Sequence, residues 1–214
     1  MTSATYRLRP IAGLGEAAAL WLAINAASDA LGAVLSALDI YLISNVDFLS
    51  PTMLRLWDWS VYVGYTAIPI YIVCVVVVGK WIYRASANAH AIRPGARTSP
   101  PWSLGWFFIP VANLWKPAKA MGETWRATFN PDTFRTASTP DVLRWWWGMW
   151  LVGGIAGNIS FRMNLRFQDA EMLTVAAGFG VVSCLAGIVA ALALRRIVLR
   201  VSEAQTQRGR TQVF

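Results

Sequence analysis

Apolar positions in this chain gather into four blocks, and the polar positions fall between and after them. The first block lies within Ile11 to Ile43. The second runs from about Trp59 to Tyr83 and contains Val75-Val76-Val77-Val78, the third from about Val142 to Phe161, and the fourth from about Met172 to Leu194. A helix needs roughly 20 residues to cross a bilayer. A lone span must satisfy its backbone hydrogen bonds internally, so each block is read as helix rather than strand. The pattern predicts an all-α fold, an integral membrane four-helix bundle forming one transmembrane domain over residues 1–200. Its spans are expected at about 12–42, 59–83, 142–161 and 172–194. The last stretch, 201–214, is rich in Gln, Arg and Thr and is expected to be a disordered tail.

Local signals refine this outline. Arg7 and Arg9 precede a first apolar stretch longer than the 7–15 residues of a signal-peptide core, so it is read as an uncleaved span. Pro69 sits inside the second block and is expected to kink it. Thr139-Pro140-Asp141 combines a capping hydroxyl, a proline suited to the first helical turn and an acid near the positive end of the dipole, which starts the third helix.

Between the second and third blocks the pattern changes. Trp81, Arg84 and Asn88 share one face of a helix that continues past the second span. The apolar core of Trp102 to Trp115 is too short to cross and is expected to be re-entrant or interfacial. After Pro117 an amphipathic helix is expected at the membrane surface. Ala118, Met121 and Trp125 lie on one face, Lys119, Glu123 and Arg126 on the other.

The residues Trp81-Ile82-Tyr83-Arg84 with Asn88, then Trp106-x-x-x-Pro110-x-x-Asn113-Leu114-x-x-Pro117, then Glu123-x-Trp125 form a combined motif. Together with Arg9-Pro10 before the first span and Trp146-Trp147 opening the third, they resemble an uncharacterised bacterial family catalogued as a domain of unknown function. The resemblance covers roughly residues 7 to 200. One departure is Ala118, where the family pattern has a larger, often aromatic residue. The resemblance implies a small four-helix membrane protein with a Trp/Pro/Asn loop between helices two and three, and it implies no activity.

Charge placement gives orientation. Arg7 and Arg9, nine basic residues from Lys80 to Arg144, and five from Arg195 to Arg210 fall on one side of the predicted bundle. Only Arg55, Arg162 and Arg166 fall on the other. This asymmetry predicts both termini in the cytoplasm of a bacterium, with the chain in the inner membrane. It also accounts for the net charge of +8 without a nucleic-acid partner. Membrane lipid is the expected partner. Gly153-x-x-x-Gly157 could support a protein partner or a homo-oligomer.

Two groups of residues could carry function. Asn25, Asp29, Gly32, Ser36 and Asp39 recur at alternating steps of four and three, so they form one helical stripe expected to face the bundle. Asn25, Asp29 and Ser36 are its candidate site, either a path for ions or protons or glue between helices. The second group is the loop cluster of Trp81, Arg84, Asn88, Trp106, Pro110, Asn113, Lys116, Pro117, Glu123 and Trp125. It could bind an anionic headgroup or a small ligand. In the alternative, Arg84 pairs with Glu123 while Asn113 satisfies loop backbone groups.

The parts of common catalytic centres are missing. There is one histidine, His90, two cysteines in separate apolar blocks, and no nucleophile elbow, phosphate loop or Cys-x-x-Cys. No cofactor or metal is expected, and an enzyme is the less favoured reading. The leading expectation is a non-catalytic accessory, scaffold or interaction protein. A small transporter or channel using the Asp29 stripe comes second, a lipid-binding or lipid-modifying enzyme third.

Overall fold

The computed structural model describes residues 6–45, 47, 49–94 and 96–211, and among them every regular element is helical. In chain order these are α1 (Ala12–Ser44), α2 (Pro51–Tyr65), α3 (Ala67–Ile92), α4 (Pro100–Gly105), two 3-10 turns (Trp106–Phe108 and Ala112–Leu114), α5 (Lys116–Phe129), α6 (Asp141–Arg166) and α7 (Ala170–Thr211).

Three stretches are long and apolar enough to cross a membrane: Ala12–Ser44, Pro51–Ile92 counted through its break, and Ala170–Thr211. Their large apolar side chains are widely exposed, among them Ile68, Tyr71, Ile72, Val75 and Val76 of α3 and Val182, Leu185 and Val189 of α7. A water-soluble surface rarely carries such a density of aliphatic side chains. The fourth predicted block forms α6, whose 26 residues are long enough but are not among the three. Its apolar character comes from Trp, Gly and Met interspersed with Asn and Arg, a weaker hydropathy than the Val- and Leu-rich helices have.

Prolines punctuate the elements. Ser50 caps α2 by accepting the Met53 N–H at 3.3 Å, with Pro51 in the first turn. The second block is one apolar run but two helices, broken at Thr66. Pro69 lacks the N–H that would pair with the Tyr65 carbonyl, and its ring crowds that same turn. Thr66 fills the gap with its N–H and hydroxyl, both donating to the Val63 carbonyl, at 3.0 and 2.6 Å.

Two expectations are corrected. The predicted tail is helical from 201 to 211: α7 runs past the expected end of the span at Leu194 on to Thr211, and Ile197, Val198, Val201, Ser202 and Gln205 are buried. These positions recur at helical spacing, so the apolar face simply continues among arginines. Residues 212–214 lie outside the described residues. Secondly, α5 is not a helix lying on a surface. Met121, Glu123, Thr124, Trp125 and Thr128 are all buried, while Lys119 stays exposed, so the helix is largely enclosed on both predicted faces. The buried Glu123, Thr124 and Thr128 tolerate this because each finds a partner. Thr124 and Thr128 donate to carbonyls one turn back, and the Glu123 carboxylate accepts the Thr98 N–H at 2.9 Å.

The chain divides into two compact units, to both of which α1, α3, α6 and α7 contribute. The first comprises Met1–Leu22, Cys74–Trp145 and Ala193–Phe214. Its core is built from Trp81, Ile82 and Ala85 of α3, Met121 and Trp125 of α5, and Ile197, Val198 and Val201 of α7. The second comprises Ala23–Val73 and Trp146–Leu192. Its core is rich in alanine, with Trp146 and Trp147 the largest buried side chains. These two indoles pack edge to face at 5.3 Å, and Trp146 is 2% exposed. Trp145 is exposed.

Candidate functional site

In the second unit the predicted polar stripe of α1 faces α7. Asp29 accepts a hydrogen bond from the Asn25 amide at 3.0 Å, one turn before it. Its carboxylate lies where α7 has glycine: a Cβ on Gly187 would stand 2.6 Å from Asp29 Oδ2. Seven residues along, the arrangement repeats, since a Cβ on Gly180 would lie 2.9 Å from Ser36 Oγ. The two helices are antiparallel in register, with Asp29 and Ser36 of α1 each seated over a glycine of α7. Asp39 ends the stripe on a different neighbour, accepting the Trp57 indole N–H at 2.9 Å.

Gly153 and Gly157 of α6 also face α7. Ser183 donates to the Gly153 carbonyl at 2.9 Å, and its hydroxyl would be 2.8 Å from a Cβ on Gly157. The glycine pair therefore lets α6 approach α7 closely within one chain.

In the first unit nine of the ten loop residues, all but Arg84, separate into three groups with different tasks. Trp81 and Asn88, on the extension of α3, are fully buried ties. The Trp81 indole donates to Ser202 Oγ of α7 at 2.8 Å. Asn88 binds the backbone of Arg9 twice, accepting its N–H at 3.0 Å and donating to its carbonyl at 2.9 Å. That reciprocal pair is what a neighbouring strand would offer, and it fixes the N-terminal arm against α3.

A second group shapes the loop. Pro110 follows Ile109, which is extended as a residue before proline should be. Trp106 stacks on Trp102 with ring centroids 4.5 Å apart and receives the Lys116 ammonium over its face at 5.0 Å. Pro117 is buried in the first turn of α5. The loop backbone closes on itself, with the Asn113 N–H donating to the Ile109 carbonyl at 2.7 Å. Asn113 does not cap the loop through its side-chain oxygen, which is buried without a partner. The last group lies in α5 itself, where Trp125 stacks on Phe129 at 4.3 Å and Glu123 holds the Thr98 backbone. The expected pair between Arg84 and Glu123 does not form: among the described residues the one ion pair is Arg144 with Asp141.

These residues thus hold the unit together at several points. Two clefts open elsewhere, and none of the ten lines either. The larger, about 820 Å³, lies between the N-terminal arm, the end of α3 and the end of α7. The smaller, about 340 Å³, is lined by Thr128, Phe129 and the last turns of α7. Gln205 joins the surroundings of both, donating to the Ala85 carbonyl at 3.1 Å and to Thr128 Oγ1 at 2.9 Å. Sequence reasoning missed Gln205 and Ser202. Their signal was the spacing of Val198, Val201, Ser202 and Gln205, which continues one helical face past the predicted end of the span.

No curated protein and no solved structure matches this chain. One family does, over residues 45–203, a stretch that includes the Trp/Pro/Asn loop and most of the helices just described. The chain belongs to that family, the domain of unknown function DUF4328.

Proposed function

We propose that this is a multi-pass protein of the bacterial inner membrane, with four spans and both termini cytoplasmic, acting without catalysis as an accessory or scaffold. Its working surface is the Trp/Pro/Asn loop, resting in the interfacial layer of the bilayer.

One observation carries the reading. The loop's outer side chains are large, apolar and open: Phe108 is 77% exposed, Val111 67% and Trp115 50%. Its inner residues Pro100, Ser103 and Pro117 are buried, so the outer ones are presented by a fixed frame. Exposing several such side chains within ten residues is unfavourable in water, at about 25 cal/mol for each Å² of apolar surface. In a chain with membrane-spanning helices the headgroup layer is the natural cover. Tryptophan and a lysine held over an indole suit that layer. The Asp29 stripe enters this reading as helix–helix glue, supported by the glycine notches that seat Asp29 and Ser36.

The test is spin-label accessibility in nanodiscs. With Cys74 and Cys184 replaced by alanine, a label at Val111→Cys should be reached by oxygen and shielded from a water-soluble nickel relaxant. A label at Arg135→Cys should show the reverse. Equal access of the nickel reagent to both sites would rule out an interfacial loop.

A further inference from the structure

We propose that the larger cleft of the first unit binds a phosphate-bearing ligand that also carries an O–H or N–H donor. This goes beyond the loop reading and does not depend on it.

Three arginines, Arg7, Arg9 and Arg210, line the cleft, and among the described residues no acidic one does. Among the described residues none of the three forms an ion pair. Like charges brought together around a concave surface repel one another unless an anion sits between them, and arginine forks match phosphate oxygens in pairs. The arm that carries two of them is held independently of their charge, because Asn88 grips the Arg9 backbone. Further grip comes from Tyr6, whose ring lies 5.4 Å from that of His90.

Gln205 narrows the ligand class. It lines the same cleft, is 1% exposed, and spends its amide hydrogens on Ala85 and Thr128. Its Oε1 is left buried and unpartnered. The two donations fix which end of the amide is oxygen, so the unmet group is an acceptor. A bare phosphate would set oxygen against oxygen there. A phosphate ester with a hydroxyl or amine satisfies the arginines and the glutamine together. Such chemistry is found in a soluble glycerol phosphate and in a phosphatidylglycerol headgroup.

The experiment separates these sources using the full chain. In phosphatidylcholine nanodiscs, sn-glycerol 3-phosphate is titrated by calorimetry. In nanodiscs of mixed phosphatidylcholine and phosphatidylglycerol, lipid retention is read by native mass spectrometry. The variants are Arg7→Gln with Arg210→Gln, and Arg9→Gln alone. Lys119→Gln with Arg135→Gln, exposed and away from the cleft, controls for net charge. The expected result is saturable binding in one of the two formats. The paired variant should weaken it at least about tenfold and Arg9→Gln should weaken it too, with the control unchanged and unfolding temperatures equal. Binding of neither probe, or equal loss in cleft and control variants, would overturn the proposal.

Discussion

Asp29 and Gly187 show how closely single residues are matched in the second unit. A methyl group on Gly187 would meet the Asp29 carboxylate well inside van der Waals contact, and the carboxylate stem is too short to move aside without losing its place beside Asn25. Gly187→Ala should therefore destabilise by about 1–3 kcal/mol, the usual cost of overpacking. Adding Asp29→Ala should recover much of that loss, because the obstruction is then gone. Thermal unfolding of the two single variants and the double variant measures the coupling, and strictly additive effects would mean the two residues do not meet. Asn88 makes a comparable prediction in the first unit. Asn88→Ala removes both bonds to Arg9 and leaves that backbone unpaired. Amide exchange along the arm should accelerate and stability should fall by about 1–3 kcal/mol. Residue types and periodicity placed Asp29 and Ser36 on one stripe of α1. They could not show that the partners would be glycines of α7, because register between distant helices leaves no mark on local sequence.

Elements were legible where one physical rule decided them. Apolar blocks became helices, Pro69 interrupted one, and Thr139-Pro140-Asp141 introduced another. The failures came where tertiary packing overrode composition. Residues 201–211 look like a solvated tail because arginine and glutamine dominate them, yet Ser202 and Gln205 turn inward to meet Trp81, Ala85 and Thr128. Deleting residues 201–214 should therefore lower the unfolding temperature of the purified protein measurably, whereas removal of a disordered tail would leave it unchanged. Similarly, α5 reads as amphipathic, but Thr98 supplies the partner that lets Glu123 be buried. For the segment between α3 and α5, a non-crossing loop is expected. Cysteines at Arg97 and Asn130 should then label from the same side of the membrane, and labelling from opposite sides would require an additional crossing.

At the scale of the molecule, the sidedness of the two termini depends on α6 crossing. Three apolar stretches reach the length and hydropathy of spans by composition, and α6 has the length with a Trp- and Gly-rich surface instead. In the proposed topology it does cross, with the basic residues gathered around the two termini and the middle loop and only Arg55, Arg162 and Arg166 elsewhere. An even number of crossings puts the termini on one side, and an odd number separates them. The most direct test is a pair of reporters fused in turn before Met1 and after Phe214, one active only in the cytoplasm and the other only in the periplasm. Four spans predict that both ends report the cytoplasm; an N-terminus and a C-terminus on opposite sides would contradict the account.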